Sequence, residues 1–206
     1  GLCGNLKFDQ EVPEELYEIS QSIRQSWAIE EKFRPTLIAS STHEGEEEII
    51  LDAFKKIYKQ LPNSLLIIVP RHLERFSKVK QIIKNSGLAF ATRSKKSEVT
   101  DNIQVLLGDT IGELNFLYSL ADVAFVGGSL IDHGGQNLLE PSAQSMALLS
   151  GPSLRNFSDV SDQLIANKAL KLVHDAEDIS NEFLSLIDNK LTLEERGKAA
   201  FEVFIS

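Results

Sequence analysis

Short apolar runs alternate with amphipathic segments along the chain. Residues 36–41 (TLIASS), 65–70 (LLIIVP), 88–92 (LAFAT), 103–107 (IQVLL), 122–127 (DVAFVG), 147–150 (ALLS) and 169–173 (ALKLV) read as strands. Their largely continuous apolar character fits strands covered on both faces, as in a parallel sheet. Between the first two runs, Ile49, Ala53, Ile57 and Leu61 recur every four residues beside Ile50, Phe54 and Tyr58. That is one wide apolar stripe at helical period. Residues 11–26 and 183–204 read as flanking helices. Repeated strand–helix alternation predicts an α/β fold: a doubly wound, mostly parallel sheet with helices on both faces.

Composition narrows the partners. The chain has 206 residues, 42% hydrophobic and 25% charged, which is ordinary for a globular chain large enough for a sizeable core. Lys and Arg number 21 against 30 Asp and Glu, a formal net charge of -9. No nucleic-acid partner is expected on that balance, and an anion would have to be held by local features. Cys3 is the single cysteine, which excludes an internal disulfide and a Cys-rich zinc site and fits a reducing compartment. His43, His72, His133 and His174 are scattered without HExxH spacing, so no metal and no cofactor are expected. No apolar run approaches a membrane span; Leu65 to Val69 suits a buried strand instead. The start of the chain lacks both a signal-peptide pattern and an initiator Met, as a piece of a longer protein would.

Four stretches carry chemistry. The first, Ser40 to Glu47, follows a strand and opens a helix. Ser41, Thr42 and Gly45 are small enough to let a phosphate reach backbone N–H groups, with His43 as an added donor. The alternative is plain helix capping, with Glu46, Glu47 and Glu48 at the positive end of the dipole. The second, Pro70-Arg71-His72, also follows a strand; Arg71 suits bidentate phosphate pairing or, equally, a surface ion pair. The third runs from Gly108 to Leu114. There Asp109 or Thr110 would cap a helix through Leu114, Leu117 and Tyr118, and backbone groups at the turn suit a base edge. The fourth, Gly127-Gly128-Ser129 and then His133 to Pro141, contains two Gly-Gly pairs. Gly134 and Gly135 before a helix would make an anion nest, and Glu140 in that helix suits ribose hydroxyls. The spacing is neither GxGxxG nor a P-loop, and no Gly-x-Ser-x-Gly elbow occurs. The basic cluster Arg93-Ser94-Lys95-Lys96 reads as a solvated loop.

Taken together, these stretches resemble the C-terminal half of the bacterial Kdo (3-deoxy-D-manno-octulosonic acid) transferases. The matching segments are GNLKFD from Gly4, STHEGEE from Ser41, VPRH from Val69, GDTIGEL from Gly108, ADVAFVGGSL from Ala121, GGQNLLEP from Gly134, and Gly151-Pro152 through Asn156-Phe157. The family pattern GGHNPLEP stands here with Gln136 and Leu138. The resemblance implies one Rossmann-like half of a GT-B fold. Residues 1–12 would then be an inter-domain linker and 13–206 a C-terminal nucleotide-sugar-binding domain. It also implies transfer of Kdo from CMP-Kdo, the donor, to a lipid A precursor at the cytoplasmic face of the bacterial inner membrane.

Carried over position by position, the family's CMP contacts fall on Pro70, Arg71, Ile111, Gly112, Glu113, Asn137, Leu138, Leu139 and Glu140. Lys7 would reach the donor from the linker, and His43, Ser129, Gly134 and Gly135 are secondary candidates. The catalytic base, the acceptor contact and the membrane contact are expected in an N-terminal half outside this chain. Two other readings stay open: a GT-B transferase or epimerase using a UDP-sugar, and a non-catalytic α/β interaction module.

Overall fold

The computed structural model describes residues 14–206. The linker expected over residues 1–12, and Lys7 with it, lie outside the described residues. Each of the seven apolar runs forms a strand: β1 (Thr36–Thr42), β2 (Leu65–Pro70), β3 (Phe90–Thr92), β4 (Val105–Leu107), β5 (Val123–Val126), β6 (Ala147–Ser150) and β7 (Leu170–Leu172). All neighbouring pairs are parallel, in the order β3-β4-β2-β1-β5-β6-β7. The helices are α1 (Glu14–Trp27), α2 (Glu46–Gln60), α3 (Phe76–Asn85), α4 (Leu114–Tyr118), α5 (Leu139–Ala143), α6 (Ser158–Ala166), α7 (Ala176–Asp188) and α8 (Lys190–Ile205).

Strand alternation divides the core into two layers. Leu37 and Ala39 of β1, Leu66 and Ile68 of β2, and Val123 and Phe125 of β5 face the layer that holds Ile50, Phe54 and Ile57 of α2 and Phe183 of α7. Ile38, Ile67, Ala124 and Val126 face the other layer, with Leu117 and Tyr118 of α4, Leu164 of α6 and Ala200 of α8. Helices on both faces are why the strands read as unbroken apolar runs.

β1 is the topological switch point. β2 lies on one side and β5 on the other, so the connections after β1 and β5 leave the sheet in opposite directions. A crevice opens beyond the carboxyl ends of strands at such a point.

The opposite end of the sheet is pinned by a buried cation. Arg34, 2% exposed, donates to the carbonyls of Asn63 (2.9 Å), Ser64 (3.0 Å), Ile103 (2.7 Å) and Thr100 (3.4 Å). One guanidinium thereby ties together the chain entering β1, β2 and β4. Burial lowers its pKa, while nearby Asp101 opposes that shift.

Two expectations need correction. Residues 183–204 do not form one helix. Asn189 leaves helical geometry (φ −125, ψ 84) and its side chain accepts from the Thr192 N–H, ending α7 and capping α8. An Asn side chain that satisfies a free backbone donor competes with helix continuation. Nor do Asp109 and Thr110 cap α4, which starts only at Leu114 with Glu113 in the capping position and no side-chain cap bond. Asp109 instead accepts from Ser94 N–H (2.8 Å) and Ser94 Oγ, and Thr110 Oγ1 donates to Glu113 (2.6 Å).

Replacing Arg34 with Met keeps the bulk but leaves four carbonyls without their donor. Urea unfolding should report a loss of about 2–4 kcal/mol, with Arg34→Lys recovering part of it.

Candidate functional site

A cleft of about 470 Å³ lies beyond the carboxyl ends of β1, β2 and β4, between the loops that lead into α4 and α5. That volume is in the range of small-ligand sites. Pro70, Arg71, Ile111, Gly112, Asn137 and Glu140, all singled out from the sequence, line it. They come from three loops far apart in the chain. Ser41, from the first stretch, lines it too, as do Phe76, Tyr118 and Gln136, to which patterning gave no binding role.

Arg71 follows the last residue of β2. Its backbone N–H donates to the Thr42 carbonyl (2.9 Å) and its Nε donates to Gln136 Oε1 (3.3 Å). Among the described residues it has no carboxylate partner. Its cationic neighbours do: Arg75 makes a two-pronged pair with Glu47 (both bonds 2.8 Å), and Arg93 pairs with Glu113 at 3.1 and 3.2 Å. Arg93 Cζ also lies 5.1 Å from the centre of the Phe116 ring, so it is anchored rather than a free part of the basic loop.

Ile111 is 76% exposed, although apolar. Gly112 has φ +80, a conformation that side chains rarely adopt, and this turns the loop over the cleft. The backbone N–H groups of Ile111 and Gly112, and those of Gln136 and Asn137, make no hydrogen bond among the described residues. Glu140 sits in the first turn of α5, and its carboxylate has no hydrogen-bond partner among the described residues. Beneath the cleft, Tyr118 is fully buried and donates to Ser40 Oγ (2.7 Å); burial raises its pKa.

The remaining candidates stand apart from the cleft. Glu113 is spent on Arg93 and Thr110; the Arg93 hydrogen bond, first among the causes, holds its carboxyl below the ordinary pKa. Leu138 is fully buried in the core, and Leu139 donates its N–H to Asn137 Oδ1 (2.9 Å). Ser129 is buried, donating to the Val126 carbonyl (2.7 Å) and accepting from Gly151 N–H (2.9 Å). His43, 7% exposed, lies behind Gln136. The anion nest expected at Gly134 and Gly135 is not free. Gly134 N–H donates to Ser153 Oγ (2.9 Å) and Gly135 N–H to the Gly128 carbonyl (2.8 Å), and α5 begins only at Leu139.

Sequence patterning also leaves Glu46 unremarked except as a partner of the helix dipole. Its side chain is fully buried and accepts from four backbone N–H groups: His43 (3.0 Å), Gly128 (2.7 Å), Ser129 (3.2 Å) and Leu130 (3.0 Å). Glu46 thus ties the start of α2 to the loop after β5. Gly127 in that loop is close against β1, where a Cβ would sit 2.5 Å from the Ser41 carbonyl oxygen. Ser41 itself has φ 53, beside the irregularity in β1 between Ser40 and Thr42.

Among the described residues, no group of three or more His, Cys, Asp or Glu side chains is placed to hold a metal ion. No helix among them is long and apolar enough to cross a membrane.

An all-parallel, doubly wound sheet with a cleft of nucleotide size at its switch point is the architecture of a Rossmann-like GT-B half. Known proteins narrow that class. The chain is 38% identical over 205 residues to the 3-deoxy-D-manno-octulosonic acid transferase of Haemophilus influenzae, covering 99% of this chain and 47% of that protein. It is 36% identical over 203 residues to the transferase of the same name from Bordetella pertussis, covering 97% and 46%. The crystal structure of the C-terminal CMP-Kdo binding domain of WaaA from Acinetobacter baumannii matches with a TM-score of 0.86 at 32% identity, covering 93% of this chain and 98% of that one. The chain belongs to the 3-deoxy-D-manno-octulosonic acid transferase family. No protein-family model matches it. The chain spans about half the length of the curated relatives it matches.

Replacing Glu46 with Gln turns one acceptor oxygen into a donor that faces backbone donors. Urea unfolding should show a loss of about 2–4 kcal/mol, larger than for the exposed Glu48→Gln.

Proposed function

We propose that this chain is the donor-binding half of a Kdo transferase and that its cleft holds the CMP portion of CMP-Kdo. The observation that carries the reading is the set of unspent groups converging there. Arg71 lacks a carboxylate, the Ile111–Gly112 and Gln136–Asn137 backbone N–H groups lack acceptors, and Glu140 lacks a donor. Gln136 and Glu140 are half-buried, whereas Arg71, Ile111, Gly112 and Asn137 are exposed, so these groups are open to a polar ligand that enters the cleft and displaces water from them. The similarity to the CMP-Kdo binding domain supports the choice of that ligand.

In this reading the phosphate lies by Arg71 and by the N–H groups of Gln136 and Asn137. Cytosine lies along the backbone of 111–113, with Pro70 beside it, and the ribose hydroxyls donate to Glu140. Leu138 and Leu139 hold the Asn137–Glu140 turn from below rather than touching the nucleotide. Transfer forms a bond from an acceptor hydroxyl oxygen to the anomeric carbon of Kdo. The bond from that carbon to the phosphate oxygen breaks, and CMP leaves with the electron pair. The hydroxyl proton goes to a base outside this chain. Arg71 serves the step by stabilising the charge that grows on the departing phosphate. The lipid A precursor as acceptor, and the cytoplasmic face of the inner membrane as the place, belong to the same proposal.

Isothermal titration of the chain with CMP, UMP and AMP tests the reading. CMP should bind tightest, and equal affinity for all three would overturn the cytosine assignment, while a preference for UMP would favour a UDP-sugar enzyme. Arg71→Ala should weaken CMP by about 1.5–3 kcal/mol, the value of a charged hydrogen bond; unchanged affinity would remove Arg71 from the site.

A further inference from the structure

We propose that Gln136 and His43 are positioning residues that aim Arg71 at the phosphate in the cleft; this rests on the donor-binding reading above. Three contacts link the side chains in series. His43 Nδ1 lies 3.0 Å from the Ser41 carbonyl, His43 Nε2 lies 3.4 Å from Gln136 Nε2, and Arg71 Nε donates to Gln136 Oε1 at 3.3 Å.

The direction of every bond follows from the first. A backbone carbonyl only accepts, so Nδ1 must carry the ring proton. The Nε2 of the neutral ring is then bare and accepts, which selects the amide nitrogen of Gln136 as its partner. With its nitrogen committed to His43, Gln136 must present its oxygen to Arg71. Arg71 Nε is thereby fixed, and the terminal guanidinium nitrogens are left for a ligand. A single backbone carbonyl at the irregular end of β1 thus sets the orientation of a cation at the end of β2.

The surroundings hold the relay in place. Gly128, with φ +68, lies under it: a Cβ there would come within 3.2 Å of Gln136 and 3.3 Å of both His43 and His133. The His43 backbone N–H is itself held by Glu46. Burial and the adjacent His133 ring, with centroids 4.0 Å apart, favour the neutral imidazole that the relay needs, with Glu46 opposing them.

Gln136→Met keeps the length of the side chain and removes both polar contacts. Calorimetry on the chain should show CMP binding weakened roughly three- to tenfold, with cytidine, which lacks the phosphate, unchanged. Unchanged cytidine binding also shows that the variant is folded. Gln136→Met should add nothing further in an Arg71→Ala background. The Arg71 Nε–H resonance should exchange faster with water in Gln136→Met than in the parent. CMP affinity and Arg71 exchange both unchanged in Gln136→Met, with Arg71→Ala still weakening CMP, would overturn the relay and leave the donor reading standing. Absence of CMP binding by the parent chain would overturn the donor reading and this proposal together.

Discussion

A buried carboxylate sets the geometry of the cleft. Glu46 reaches from the first turn of α2 to the N–H groups of Gly128, Ser129 and Leu130, and back to that of His43. Charge-assisted bonds of this kind are stronger than neutral ones, and here the carboxylate that accepts them is fully buried. They fix the loop after β5 against the loop after β1, the two loops that flank the switch point. Gly127 is the steric counterpart, because a side chain there would meet the Ser41 carbonyl. Gln136 packs over Gly128, so the floor of the cleft and the group that steers Arg71 depend on the same anchor.

The acidic balance of the chain acquires a meaning from this arrangement. A net charge of -9 opposes an anionic ligand at long range. Around the cleft three carboxylates are spent, Glu46 on backbone donors, Glu47 on Arg75 and Glu113 on Arg93, while Glu74 and Glu140 in its lining are not drawn into an ion pair with Arg71. Arg71 is left without an ion-pair partner among the described residues. A cation that the protein leaves uncompensated, next to unpaired backbone N–H groups, is what a local anion site requires when the overall field is unfavourable.

The strands were legible because burial on both faces leaves a signal that each segment carries by itself. All seven apolar runs became strands, with boundaries shifted by at most a few residues. Local competition was harder to read. At Asn189 one amide oxygen outweighs an apolar pattern that runs on through the break. The delayed start of α5 has a similar cause: Gly134 and Gly135 are consumed by the loop that holds Ser153 and by Gly128, so the free N–H groups fall instead at Gln136 and Asn137. Arg71 and Glu140 were recognisable by their place after a strand and in a helix turn, Ile111, Gly112 and Asn137 through the family resemblance, and the fold brings them to one cleft. The supports of that cleft were not, since the bonds from Glu46 to Gly128 and from Gln136 to Arg71 join residues far apart in the chain, and no local pattern encodes them.

Amide chemical-shift mapping of the 206-residue chain during titration with CMP tests the central claim most directly, because it reports where the nucleotide sits as well as whether it binds. Saturable shifts concentrated at Arg71, Ile111 to Glu113 and Gln136 to Glu140 are the predicted result. Saturable shifts concentrated elsewhere, or none up to millimolar CMP, would contradict it.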